Sequence, residues 1–191
     1  MITVIAVIKI MKKGFTLIEL LIVIAILAIL ATTVVLVLNP AQILAQARDA
    51  QRISDLSSVK SAIALYLATA TTPAMTAGQW CNVTGCTCAA NAPFVGATAC
   101  VVNTTTGVTN AGWVNGINLE DTSGGSTLAS LPLDPSNTTT YFYAYKGTVI
   151  TTGTFKLAGR LESIKYAPKM LNINDGGISD TYYEIGTNLA L

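Results

Sequence analysis

The chain has 191 residues, of which 51% are hydrophobic and 11% charged, and its formal net charge is +1. That length suits one modest domain beside a membrane segment, and a near-neutral balance gives no electrostatic case for a nucleic-acid site. The sequence contains no His, which excludes a Ser-His-Asp triad, a Cys-His dyad and His-containing zinc sites.

The first predicted element is the most informative. Lys12, Lys13, Gly14 and Phe15 lead into an apolar run to Leu38 whose one charge is Glu19. As a helix this run extends about 36 Å, enough to cross a hydrocarbon core of about 30 Å. Lys9, Lys12 and Lys13 precede it and the next basic residue is Arg48. The Lys/Arg bias therefore predicts a cytoplasmic N-terminus and an exported remainder. Glu19 is anomalous there, since a carboxylate at a spanning helix centre costs roughly 2.5 to 3.5 kcal/mol. It needs a partner or a position near the cytoplasmic interface. The preceding segment, MITVIAVIKI, is itself apolar. Because Met11-Lys12-Lys13-Gly14 is a complete short leader, a start at either Met1 or Met11 gives the same mature product. The order of basic, apolar and small residues is not that of an ordinary secretory signal peptide.

Lys12-Lys13-Gly14 followed by Phe15-Thr16-Leu17-Ile18-Glu19-Leu20-Leu21 resembles the class III signal of type IV pilins and of the pseudopilins of type II secretion. The resemblance implies cleavage by a prepilin peptidase between Gly14 and Phe15, with N-methylation of Phe15. It also implies that Glu19 pairs with the new N-terminal amine of a neighbouring subunit and sets subunit register. Gly14 would offer the peptidase an unhindered carbonyl, while Lys12 and Lys13 hold the leader on the cytoplasmic side. The implied fold is α+β, a long N-terminal helix packed on a small antiparallel sheet. Implied partners are membrane lipid before assembly, the peptidase, an inner-membrane assembly platform and further copies of the chain. Loss of residues 1–14 removes Lys9, Lys12 and Lys13 and leaves the remainder acidic on balance.

Within residues 39–70, Asn39-Pro40 interrupts the helix and the period then resumes. Ile43, Ala47, Ala50, Ile53, Leu56, Val59, Ile63 and Leu67 form a stripe that predicts an amphipathic continuation, with Arg48, Asp49, Arg52, Asp55 and Lys60 on other faces. Thr71-Thr72-Pro73 ends it, for a bent helix of roughly 80 Å from Phe15. Residues 71–140 read as a long connection with short strands at most. It carries Cys81, Cys86, Cys88 and Cys100. Two disulfides in any of about three pairings are expected in an exported domain, beside a sharper reading as a four-thiolate metal site.

Residues 141–191 predict an antiparallel sheet and a C-terminal loop. Tyr141–Tyr145 and Thr154–Glu162 form a hairpin through Gly147–Gly153, and Tyr182–Ile185 add a third strand. In the second strand Phe155, Leu157 and Leu161 alternate with Lys156, Arg160 and Glu162. Leu-Pro-x-Asp-Pro before an aromatic strand also resembles major pilins and the major pseudopilin. Asn172, Asn174, Asp175 and Asp180 gather hard oxygen donors around Gly176-Gly177. That composition suits either a plain turn or the calcium loop that major pseudopilins carry. Tyr141, Tyr143 and Tyr145 read as a sheet face or as a stacking platform for single-stranded DNA. Asn82, Asn103 and Asn137 each begin an Asn-x-Thr sequon, compatible with surface glycosylation.

These signs converge on a structural subunit of a type IV pilus-like filament, not an enzyme, held first as a single-pass inner-membrane protein and then polymerised at the cell surface or in the periplasm. The alternatives are the major pseudopilin of a type II secretion system and a single-span anchor displaying an exported binding domain.

Overall fold

The computed structural model describes residues 14–86, 88, 93–94, 100–151 and 153–191, apart from the side chains of Leu36 and Asn172. Lys12 and Lys13 lie outside them. The chain divides into two units, Met1–Pro40 and Ala41–Leu191.

The first unit is built on α1, Leu17–Leu38, apolar on every face. It ends at Asn39, whose backbone is left-handed at φ 40°, a conformation that Asn tolerates better than most residues. A new helix, α2, then runs over Pro40–Thr69, with Pro at its first position, where the missing N–H costs nothing.

The second unit holds a five-stranded sheet formed by β1 (Gly78–Cys81), β2 (Val101–Val102), β3 (Tyr143–Gly147), β4 (Phe155–Gly159) and β5 (Tyr183–Gly186). The spatial order is β2-β1-β3-β4-β5. The sheet is mixed, because β1 and β2 run parallel while the other neighbours are antiparallel; the expected purely antiparallel sheet is corrected at that edge. It also begins earlier than residue 141, since β1 pairs Trp80 with Tyr145 and Cys81 with Ala144. Gly-Gln-Trp-Cys has no alternation of its own and becomes a strand because β3 offers it a ladder and a buried face.

Successive residues of the strands face two cores. Tyr143, Tyr145, Phe155, Leu157 and Ile185 pack with Leu56, Val59, Ile63 and Tyr66 of α2, joined by Trp113, Ile117 and Leu131 from the long connection. Cys81, Ala144 and Ala158 face the other way, against Cys88, Phe94, Phe142 and Tyr182. The cysteines pair as Cys81–Cys86 and Cys88–Cys100. None is left free, so the four-thiolate metal reading falls. The second core explains why every residue of β4 is buried. Lys156 alternates as the sequence predicts but is not solvated: its Nζ donates to Glu184 Oε1 at 2.8 Å and to the Leu189 carbonyl at 3.2 Å. Burial pushes its pKa down, opposed by the Glu184 carboxylate.

The α2 stripe is corrected too. Its buried residues are Ala45, Asp49, Arg52, Leu56, Val59, Ala62, Ile63 and Tyr66, whereas Ile43, Ala47 and Ala50 are exposed. Asp49 and Arg52 face inward because they anchor an ion network. Arg52 donates to Asp134 through Nε at 2.7 Å and one terminal nitrogen at 3.0 Å. Its other terminal nitrogen donates to both Asp49 and Glu162 at 2.8 Å. Asp49 accepts the backbone N–H groups of Glu162 and Ser163. The network ties α2 to the turn at Asp134 and to the chain leaving β4.

Glu162 also accepts from Arg48 at 2.6 Å, and that bond, with those from Arg52, holds its carboxyl below the ordinary glutamate value of 4.5. A lowered carboxyl pKa contributes stability above the unfolded value and loses it as pH falls toward the folded one. The thermal midpoint is therefore expected to drop as pH falls below 4.5. A Glu162→Gln variant, less stable at neutral pH, should lose less over the same range; an equal acid loss in both proteins would remove Glu162 from the cause.

Candidate processing and assembly site

The segment Gly14-Phe15-Thr16 precedes α1 and is exposed; the first helical bond, from the Leu20 N–H, reaches back only as far as the Thr16 carbonyl, which leaves the Gly14-Phe15 peptide outside the helix and accessible. A Cβ added at Gly14 would meet nothing within 4 Å. This fold itself therefore places no steric demand for glycine there. Phe15 is 89% exposed.

Thr16 is the N-cap of α1, with extended backbone at φ −77° and ψ 151°. Its hydroxyl accepts the Glu19 backbone N–H at 3.2 Å, while Glu19 Oε2 accepts the Thr16 backbone N–H and hydroxyl, each at 2.8 Å. This reciprocal capping box satisfies helix-end donors that would otherwise stay open. It answers the question Glu19 raises: within one chain its partner is Thr16. The other carboxylate oxygen, Oε1, accepts no hydrogen bond among the described residues. Thr16 is the site residue not singled out from sequence, although Thr-x-x-Glu before an apolar run was its signature.

Beyond the cap, Leu17–Val35 is long and apolar enough to cross a bilayer core, and none of it is buried within the chain. Thr32 and Thr33 donate their hydroxyls at 2.8 Å to the carbonyls of Ile29 and Leu30, which satisfies them in an apolar surrounding.

Residues 10–35 match the family described as the prokaryotic N-terminal methylation motif. The chain carries a class III prepilin signal. Such a signal supports a type IV pilin-like or pseudopilin substrate, and it implies processing by prepilin peptidase and filament assembly. The family of this prepilin motif is structural rather than catalytic. The long apolar helix and mixed α+β sheet domain are consistent with a pilin-like fold, and the apolar helix suggests a membrane-anchored protein. No curated protein and no solved structure matches the chain.

The other sequence candidates resolve as follows. Asn174 and Asp175 lie in α3, the short turn Asn172–Asp175. Asp175 accepts the Gly177 backbone N–H at 2.8 Å through one oxygen and that of Glu184 at 3.0 Å through the other. Asn174 turns its amide nitrogen to the Pro168 carbonyl. Among the described residues no group of three or more His, Cys, Asp or Glu could hold a metal ion. Through these bonds Asp175 ties the turn to β5. Tyr143 and Tyr145 are wholly buried, in ring contact with Trp113 and Trp80 respectively at 5.8 Å. They form a sheet face, and the stacking platform is withdrawn. Tyr141 instead lies 4.9 Å from the Arg52 guanidinium.

Proposed function

We propose that this chain is the structural subunit of a type IV pilus-like filament. It is made as an inner-membrane prepilin, cleaved after Gly14, N-methylated at Phe15 and polymerised through α1, with the sheet domain outside. The observation that carries the reading is Glu19, a capped carboxylate with one oxygen open, set at the head of an apolar helix that buries none of its surface within its own chain. The amine released at Phe15 of a neighbouring copy is a fitting partner for that open oxygen, since a paired charge offsets part of the desolvation penalty of an apolar core. The helix is then the filament core and the exported domain its surface, with no catalytic role. The two disulfides, with Cys88 and Phe94 packed on one sheet face, favour a surface pilus over a secretion pseudopilus.

Processing is tested by Gly14→Val, assessed by intact mass in the native host. The variant is expected to keep its leader and accumulate in the membrane, while the parent loses every residue up to Gly14. A parent chain that stays uncut would make α1 a plain anchor. Deletion of the gene separates the machines: loss of surface filaments supports the pilus, and loss of protein secretion with filaments intact supports the pseudopilin.

A further inference from the structure

The three sequons are not equivalent in the fold. Asn82 is 1% exposed and its side-chain oxygen accepts the Tyr143 backbone N–H at 3.0 Å; no enzyme reaches its amide in the folded domain. Asn103 spends its side-chain N–H donors on the carbonyls of Ala111 and Gly112, at 3.2 and 2.7 Å. Asn137 differs from both. It is exposed, with exposed Thr138, Thr139 and Thr140 after it, and its side-chain amide makes no hydrogen bond among the described residues.

The fold accounts for part of this turn. Asn137 has φ 45°, a left-handed backbone that Asn tolerates, and its N–H reaches Asp134 at 3.2 Å. Thr138 Oγ1 accepts the Tyr141 N–H at 3.2 Å. Thr139, the third sequon residue, has no such duty: its hydroxyl makes no hydrogen bond among the described residues. The turn thus leaves free the two groups that an asparagine glycosyl transfer reads, an amide nitrogen and the hydroxyl two residues later, on a loop whose root Asp134 clasps to Arg52.

We propose that Asn137 is an N-glycosylation site, modified by an oligosaccharide carried on a lipid diphosphate. Asn137 Nδ2 forms a bond to the anomeric carbon of the first sugar as that carbon's bond to the diphosphate oxygen breaks. The lipid diphosphate leaves with the electron pair, the amide proton passes to a base of the transferase, and nothing is oxidised or reduced. A bulky polar glycan here decorates the exported face. The proposal rests on the reading that the sheet domain is exported.

The test is intact mass of the full chain from its native host, with variants. The parent is expected to exceed its polypeptide mass by one glycan. That increment disappears in Asn137→Asp, which keeps a side chain suited to the left-handed backbone, and in Thr139→Ala. It survives in Thr139→Ser and Asn103→Gln. A parent at polypeptide mass, or an increment that survives Asn137→Asp, overturns the proposal. The same spectrum fixes the N-terminus: a chain starting at Phe15 without glycan overturns this site alone, whereas an uncut chain with the increment supports the site and overturns the filament reading.

Discussion

Arg52→Met is expected to be the most destabilising single change in the sheet domain. It removes the one cation shared by Asp49, Asp134 and Glu162, two of which have wholly buried side chains like its own. Breaking a buried ion pair from one side costs about 3–5 kcal/mol, because the surviving charges keep their desolvation penalty and lose their partner. Burial alone would lower the guanidinium pKa, yet the hydrogen bonds to Asp134 and Glu162 raise it above its ordinary value, so the group is charged at every accessible pH. Thermal unfolding of the purified chain in detergent is expected to show a midpoint lower by on the order of 10 °C. Arg52→Lys should recover little, since an ammonium cannot reproduce the planar fork on Asp134. A fall of only a degree or two in Arg52→Met would mean that α2 and the Asp134 turn are held by apolar packing alone.

Glu19→Ala carries the largest expected effect on function. The variant should fold its sheet domain and be cut after Gly14, because neither depends on the carboxylate, but sheared filaments should fall at least tenfold, about 1.4 kcal/mol per subunit contact. Thr16→Ala separates the two duties of the site. It removes the hydroxyl from the capping box, a loss of about 1 kcal/mol, while Glu19 stays available to a neighbour, so filaments should be reduced less than in Glu19→Ala. Normal filament yield in Glu19→Ala would leave the carboxylate with helix capping as its whole role.

How legible the molecule was depends on where each signal lies along the chain. Gly14, Phe15 and Glu19 lie close together along the chain, beside a long apolar run, so the prepilin signal could be read at once, and the Thr16 cap lay in the same few letters. Asp49 and Arg52 read as charges on faces away from the stripe because their partners are remote: Asp134 is 82 residues from Arg52 and Glu162 is 110. Lys156 misled in the same way, since the cover over its face comes from the segment that holds Cys88 and Phe94. β1 was hidden for a different reason. Four residues containing a glycine have no period, and only the ladder to β3 makes them a strand. The disulfide partners were likewise open until the fold placed Cys81 on the sheet and Cys88 beneath it.

The most direct test of the account is the N-terminus of the protein recovered from sheared surface filaments of its native host, read by intact mass and terminal sequencing. The expected result is a chain that begins at N-methyl-Phe15. A chain retaining Gly14 and the residues before it, found in the membrane and absent from the sheared fraction, would contradict it and make this protein a single-span anchor.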